Sequence, residues 1–224
     1  MGRLGRDLAL DSLTGVWRCQ PTAVQRVVTL DMEGVLTPEI WVAVADHTGV
    51  DALRRTTRDE PDYQRLMDFR IGVLSAHGIT LGDIQSVIAT LPLLDGARDF
   101  LDRLRSRYQV VLLSDTFEQF ADHFRDLMGF PHLLCHRLDV ADGRVVAFRP
   151  RVEEQKLRAV EAYRAMNYHV TAAGDSHNDV TMLRSAHAGC LFRAPANLPP
   201  MYPELAVAET YDELLDWIDG VGPI

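Results

Sequence analysis

The chain has 224 residues, 47% hydrophobic and 25% charged, with a net charge of −9. That length suits one domain with a full core, or a core plus a small insert. An acidic chain without a basic run makes a poor partner for nucleic acid or an anionic membrane, and no apolar run approaches the ~20 residues of a membrane span.

Residues 1–22 are interrupted by Asp7 and Asp11 and lack the unbroken apolar centre of a signal peptide. They are expected to be a poorly ordered N-terminal extension. A first β-rich run, 24–30, ends in the acidic stretch Asp31-Met32-Glu33-Gly34. Residues 41–91 then read as helical, with breaks near Thr48-Gly49, Glu60-Pro61 and His77-Gly78, and suggest a four- or five-helix cap. Helical patterns follow at 97–107, 117–128, 153–166 and 178–185. They alternate with apolar runs at 109–113, 169–174 and 188–192. The segment 133–148 alternates in polarity and carries Asp142-Gly143, a hairpin signal. The alternation predicts an α/β fold: a doubly wound, mostly parallel, Rossmann-like sheet with a small helical cap inserted after the first strand. The core would comprise 23–40 and 92–224, and the cap 41–91. In such sheets ligands bind beyond the C-terminal strand ends. Here those ends deliver Asp31 and Glu33, then Ser114 and Asp115, then Asp175, Asn178 and Asp179.

Three cysteines, Cys19, Cys135 and Cys190, are odd in number and form no CxxC. They read as reduced thiols of a cytoplasmic protein. Lysine and arginine total 23, but the only lysine is Lys156. Arginine is a planar fork and lysine a point charge, so a site needing a compact ammonium would keep its lysine. The bland alternative is one exposed helical lysine.

Each candidate has such an alternative. Asp31 at a strand end can be a nucleophile or a metal ligand, and Glu33 can hold a proton beside it; both can also merely precede a helix. Asp175 and Asp179, four apart at a helix start, can share a hard cation with Asp31 or simply cap the helix. Ser114 can hold a phosphoryl oxygen or be a plain N-cap. Arg70 suits a carboxylate or belongs to a solvated helix face. A metal module of His132, Cys135 and His136 is rejected, because in a strand Cys135 points away from the two histidines.

The order of these signals, with the stretches LDMEGVLTPEIW, TTRDEPDY, LLSDTF, GFPHLLCH and AAGDSHND, resembles the haloacid dehalogenase superfamily. Within it the chain resembles the phosphoserine phosphatase branch and its bifunctional phosphoserine phosphatase/homoserine phosphotransferase group. The resemblance implies Mg²⁺-dependent hydrolysis of phosphoserine through an aspartyl-phosphate, with homoserine as a second phosphoryl acceptor. It implies Asp31 as nucleophile and Glu33 as general acid and base. Asp31, the Glu33 backbone carbonyl, Asp175 and Asp179 would form the metal site. Ser114, Asp115, Lys156 and Asn178 would surround the phosphoryl group, and Glu39 and Arg70 would bind the substrate's amino and carboxylate groups. Met32 would point into the core. Most relatives carry Asp where this chain has Glu33. The partners implied are small molecules, and homodimer formation is left open. The alternatives are a phosphatase of another small ester without transfer, and a receiver domain, which is shorter and has no cap.

Overall fold

A computed structural model describes residues 8–10, 17–19, 24–57, 59–60 and 62–222. The extension expected over 1–22 lies mostly outside the described residues. Within it Leu8–Leu10 (β1) pairs antiparallel with Trp17–Cys19 (β2).

Arg26–Leu30 (β3) begins the main sheet. Ile40–Thr48 (α1), a 3-10 turn at Asp51–Arg54, Tyr63–His77 (α2) and Leu81–Ile88 (α3) fill the insert. Among the described residues three α-helices and one 3-10 turn thus stand where four or five helices were expected. Among the described residues between Arg54 and the Asp62 cap of α2 no further helix stands.

Ala97–Arg105 (α4), Gln109–Phe117 (β4), Glu118–Met128 (α5), His132–Ala141 (β5) and Arg144–Arg149 (β6) follow. The chain closes with Gln155–Ala165 (α6), His169–Gly174 (β7), Val180–Ser185 (α7), Ala188–Phe192 (β8), Leu198–Met201 (α8), Ala206–Ala208 (β9) and Tyr211–Gly220 (α9).

The sheet has seven strands in the order β6-β5-β4-β3-β7-β8-β9. All neighbours are parallel except the β5–β6 hairpin. Its turn residues, Asp142 and Gly143, have φ of 49° and 73°. That pair of positive values is what an Asp-Gly hairpin turn supplies.

Strand alternation sends Val28, Leu30 and Leu112 to one face and Val27, Val111 and Leu113 to the other. Both faces are covered, as a parallel sheet requires. Helix α4 buries Ala97, Phe100, Leu101 and Leu104, the spacing of a single helix face. Phe100 stacks on Tyr211 of α9 at 4.8 Å. The apolar interior of the insert, including Trp41, Val44, Met67 and Ile84, is continuous with this face of the sheet. Helices α6 and α7 cover the other face through Val160, Met182 and Leu183.

The sequence ended the second core strand at residue 113. The ladder continues to Phe117, which pairs with His136 across a register irregularity after Leu113. Ser114 and Asp115 therefore sit on a distorted strand end, where irregular pairing re-aims side chains. Among the described residues no single helix is long and apolar enough to cross a membrane. Cys135 and Cys190 are buried and unbridged, and burial pushes their thiols up to about 11 and about 12.

Candidate active site

The strand order reverses around β3, with β4 on one side and β7 on the other, so Asp31 leaves the sheet at a switch point. Its backbone N–H is tied to the Ala173 carbonyl at 3.0 Å, and Met32 N–H donates to Asp31 Oδ1 at 2.6 Å. Met32 is fully buried in the core. Gly34 turns the loop at φ 76°. A Cβ there would stand 2.5 Å from Asp175 Oδ2, so both the conformation and the contact require glycine.

Gly34→Ala is expected to cost about 1–2 kcal/mol of stability from the left-handed backbone alone. It should also displace Asp175 and lower turnover at least about tenfold, since each 1.36 kcal/mol of barrier is tenfold in rate. Thermal denaturation and steady-state kinetics on the same preparation check both.

Asp31, Asp175 and Asp179 bring one oxygen each to within 4.8 Å of one another. Ser176 and Asp179 form a capping box on the 3-10 turn His177–Asp179, so the capping role that the sequence allowed is present. Burial and the neighbouring Asp179 push the Asp31 carboxyl well above the ordinary range. Burial, Asp179 and Glu39 raise Asp175 to about 7. Three crowded, desolvated carboxylates form the donor set that a hard divalent cation favours.

Lys156 is not an exposed helical lysine. It is 4% exposed, with Nζ 3.0 Å from Asp31 Oδ2, 2.8 Å from Asp179 Oδ1 and 3.6 Å from Asp115 Oδ2. Burial lowers its pKa, but Asp115, Asp179 and Asp31 outweigh burial and keep the ammonium charged. It is the second residue of α6, after the N-cap Glu154, whose φ of 49° places it in the left-handed region. Asp115 accepts from Asn178 Nδ2 at 3.0 Å. Burial opposes its charge, but Lys156 and His136 hold it well below the usual carboxylate range.

Glu33 turns elsewhere: Ile40 N–H donates to its Oε2 at 3.0 Å, and its carboxylate is not in the three-aspartate group. Burial and Glu39 raise it to about 7, so it can carry a proton near neutrality. Glu33, Glu39, Arg70, Ser114, Asp115, Lys156, Asp175 and Asn178 line one cavity of about 270 Å³ with Asp31. Asp179 lies beneath it, reaching Lys156. Arg70 is 5% exposed, lies over the Trp41 ring at 4.6 Å and donates to the Arg55 carbonyl at 2.8 Å. Its Nε has no hydrogen-bond partner among the described residues.

Three residues escaped the sequence reading as site residues. Tyr63 of α2 donates to the Asp115 carbonyl at 2.6 Å and packs on Phe148 at 5.6 Å, pinning the insert to the core. His136 accepts the Arg151 N–H on Nδ1 at 3.2 Å and turns Nε2 to Asp115 at 3.5 Å. Gln155 donates to the Ser114 carbonyl at 2.6 Å. The only signals were that Tyr63 and His136 close quoted stretches and that Gln155 precedes Lys156.

A family model described as haloacid dehalogenase-like hydrolase matches residues 36–184. The span begins after Asp31 and Glu33 and includes Arg70, Ser114, Lys156, Asp175 and Asp179. The chain is 52% identical over 189 residues to phosphoserine phosphatase ThrH of Pseudomonas aeruginosa, covering 84% of this chain and 92% of that protein. It is 50% identical over 190 residues to a phosphoserine phosphatase of Pseudomonas syringae pv. tomato, covering 84% and 80%. Among solved structures, the phosphoserine phosphatase of T. onnurineus in complex with NDSB-201 superposes with a TM-score of 0.69 at 23% identity, over 90% of this chain and 98% of that one. A substrate-bound phosphoserine phosphatase complex gives 0.72 at 18% identity, over 88% and 98%. At these identities the structures speak for the fold alone.

Proposed function

This chain belongs to the haloacid dehalogenase-like hydrolases, and we propose that it hydrolyses phosphoserine through an aspartyl-phosphate on Asp31 and also transfers the phosphoryl group to homoserine. The observation that carries this reading is the placement of the lone lysine. Lys156 is buried 3.0 Å from Asp31 and 2.8 Å from Asp179, where a compact cation would meet both the nucleophile and an incoming phosphoryl group. The names of the two Pseudomonas relatives support the substrate.

An Asp31 oxygen attacks phosphorus and the bond to the serine oxygen breaks. Glu33 gives its proton to that leaving oxygen. Water, or the homoserine hydroxyl, then attacks the aspartyl-phosphate. Glu33 takes the attacker's proton, and the phosphorus–Asp31 bond breaks to restore the carboxylate. Ser114, Lys156 and Asn178 steady the phosphoryl oxygens, and Asp115 holds Lys156 and Asn178 in place. Arg70 and Glu39 take the substrate's carboxylate and ammonium; the unpartnered Arg70 Nε supports this. At about 270 Å³ the cavity is below the ~300–1,000 Å³ of sites for drug-sized ligands, which suits a small ester. Asp31, Asp175, Asp179 and the Glu33 carbonyl would hold Mg²⁺, which supplies charge neutralisation at the phosphoryl group. The insert, taken as a cap over residues 41–91, excludes bulk water. Buried unbridged Cys135 and Cys190 support a cytoplasmic setting.

Phosphorus NMR with phosphoserine and Mg²⁺, with and without homoserine, tests the reading. Inorganic phosphate alone, joined by phosphohomoserine only when homoserine is added, is expected. Phosphate in both tubes without a transfer product leaves a plain phosphatase, and no turnover removes the substrate. Glu33→Asp, one methylene shorter, is expected to change the transfer-to-hydrolysis ratio. An unchanged ratio would rule out Glu33 as the group that accommodates both acceptors.

A further inference from the structure

A second cavity, of about 1070 Å³, opens beside the first. Thr57, Tyr63, Asp115, Ser176 and Asn178 stand in the walls of both. Carboxylates line both, but the two differ in their cations. The inner cavity contains Lys156 and Arg70, the cations that anionic groups of an ester need. Among the described residues no lysine or arginine lines the outer one, whereas Asp62, Asp115, Glu153 and Glu154 do. Asp115 is already held by Lys156, and Asp62 lies 3.4 Å from Arg65. Glu153 and Glu154 form no ion pair among the described residues.

Between these carboxylates the wall is apolar and aromatic, with Tyr63, Phe148, Val152, Leu198 and Met201. Val152 and Met201 are 45% and 57% exposed and present their apolar surface along this wall. The volume is that of a small-molecule site. A phosphate or carboxylate would be repelled there. A protonated amine would gain the carboxylates and the Tyr63 and Phe148 ring faces, while its carbon body covers the apolar wall.

The geometry points to a second binding site, for a small organic ammonium carried on an apolar body. It rests on the outer cavity's own charge and shape and stands whether or not phosphoserine is the substrate. An occupant lies against Asp115 and Asn178, so the site adjoins the phosphoryl pocket without using its cations.

Isothermal titration calorimetry of the full chain with phenethylammonium tests this, with phenylacetate as a control of similar shape and opposite charge. One ammonium per chain is expected to bind, and phenylacetate to give no binding heat. Met201→Arg places a cation in the outer cavity and should weaken the ammonium at least about tenfold, a change of ~1.4 kcal/mol. Hydrolysis by this variant should be unchanged. Glu39→Gln, in the inner cavity, should leave ammonium binding as in the parent. Val152→Arg serves as a second variant should Met201→Arg unfold, which circular dichroism reveals. Absence of ammonium binding, equal binding of phenylacetate, or loss of binding in Glu39→Gln instead of the arginine variants would overturn the inference.

Discussion

Asp31→Asn is expected to lower turnover by at least about 10⁴-fold, the scale seen when a covalent nucleophile is removed. Asparagine keeps the shape of the strand end but cannot form the phosphoryl bond. The same change should leave the metal-free protein no less stable than its parent. Asp31 shares a desolvated space with Asp175 and Asp179, whose oxygens lie within 4.8 Å. Burial and Asp179 together disfavour its charge more than Lys156 favours it. Replacing it by a neutral group relieves repulsion while giving up one contact to Lys156. Activity and melting temperature should therefore part company. A variant that lost both in proportion would instead mark Asp31 as a structural residue.

Lys156→Met is expected to do the reverse and damage both. Its removal leaves Asp31, Asp115 and Asp179 without the cation that lies within 3.6 Å of all three. Breaking a buried ion network from one side typically costs about 3–5 kcal/mol. Loss of a preorganised charge at a reacting group costs about 10²–10³ in kcat. Lys156→Arg should not restore activity, because a planar fork does not fit a site that is 4% exposed and shaped around a point charge. Urea unfolding and kcat measured together check both. Parental stability in Lys156→Met would show that the carboxylates are neutralised by other means.

Much of this was legible in the chain because local pattern and tertiary demand agreed. The runs at 169–174 and 188–192 coincide with β7 and β8, where unbroken apolar sequence meets a strand covered on both faces. The Asp142-Gly143 turn was readable because only such residues accept its backbone. The extension of β4 to Phe117 was not, since Ser114 and Asp115 carry no strand signal and are carried along by pairing with β5. The short α8 and β9 likewise depend on their neighbours. In the site, the acidic strand ends and the lone lysine were visible as residue types. The partners that fix them were not. Tyr63 crosses 52 residues to reach Asp115, and Gln155 crosses 41 to reach Ser114. Such contacts exist only once the insert has folded onto the sheet.

The central claim is that Asp31 carries the phosphoryl group between donor and acceptor. Rapid acid quench of the enzyme with ³²P-labelled phosphoserine and Mg²⁺, followed by peptide mapping, tests it most directly. The expected result is transient label on the peptide containing Asp31, discharged faster when homoserine is present and missing in Asp31→Asn. Turnover without any labelled peptide, or label on another residue, would contradict it.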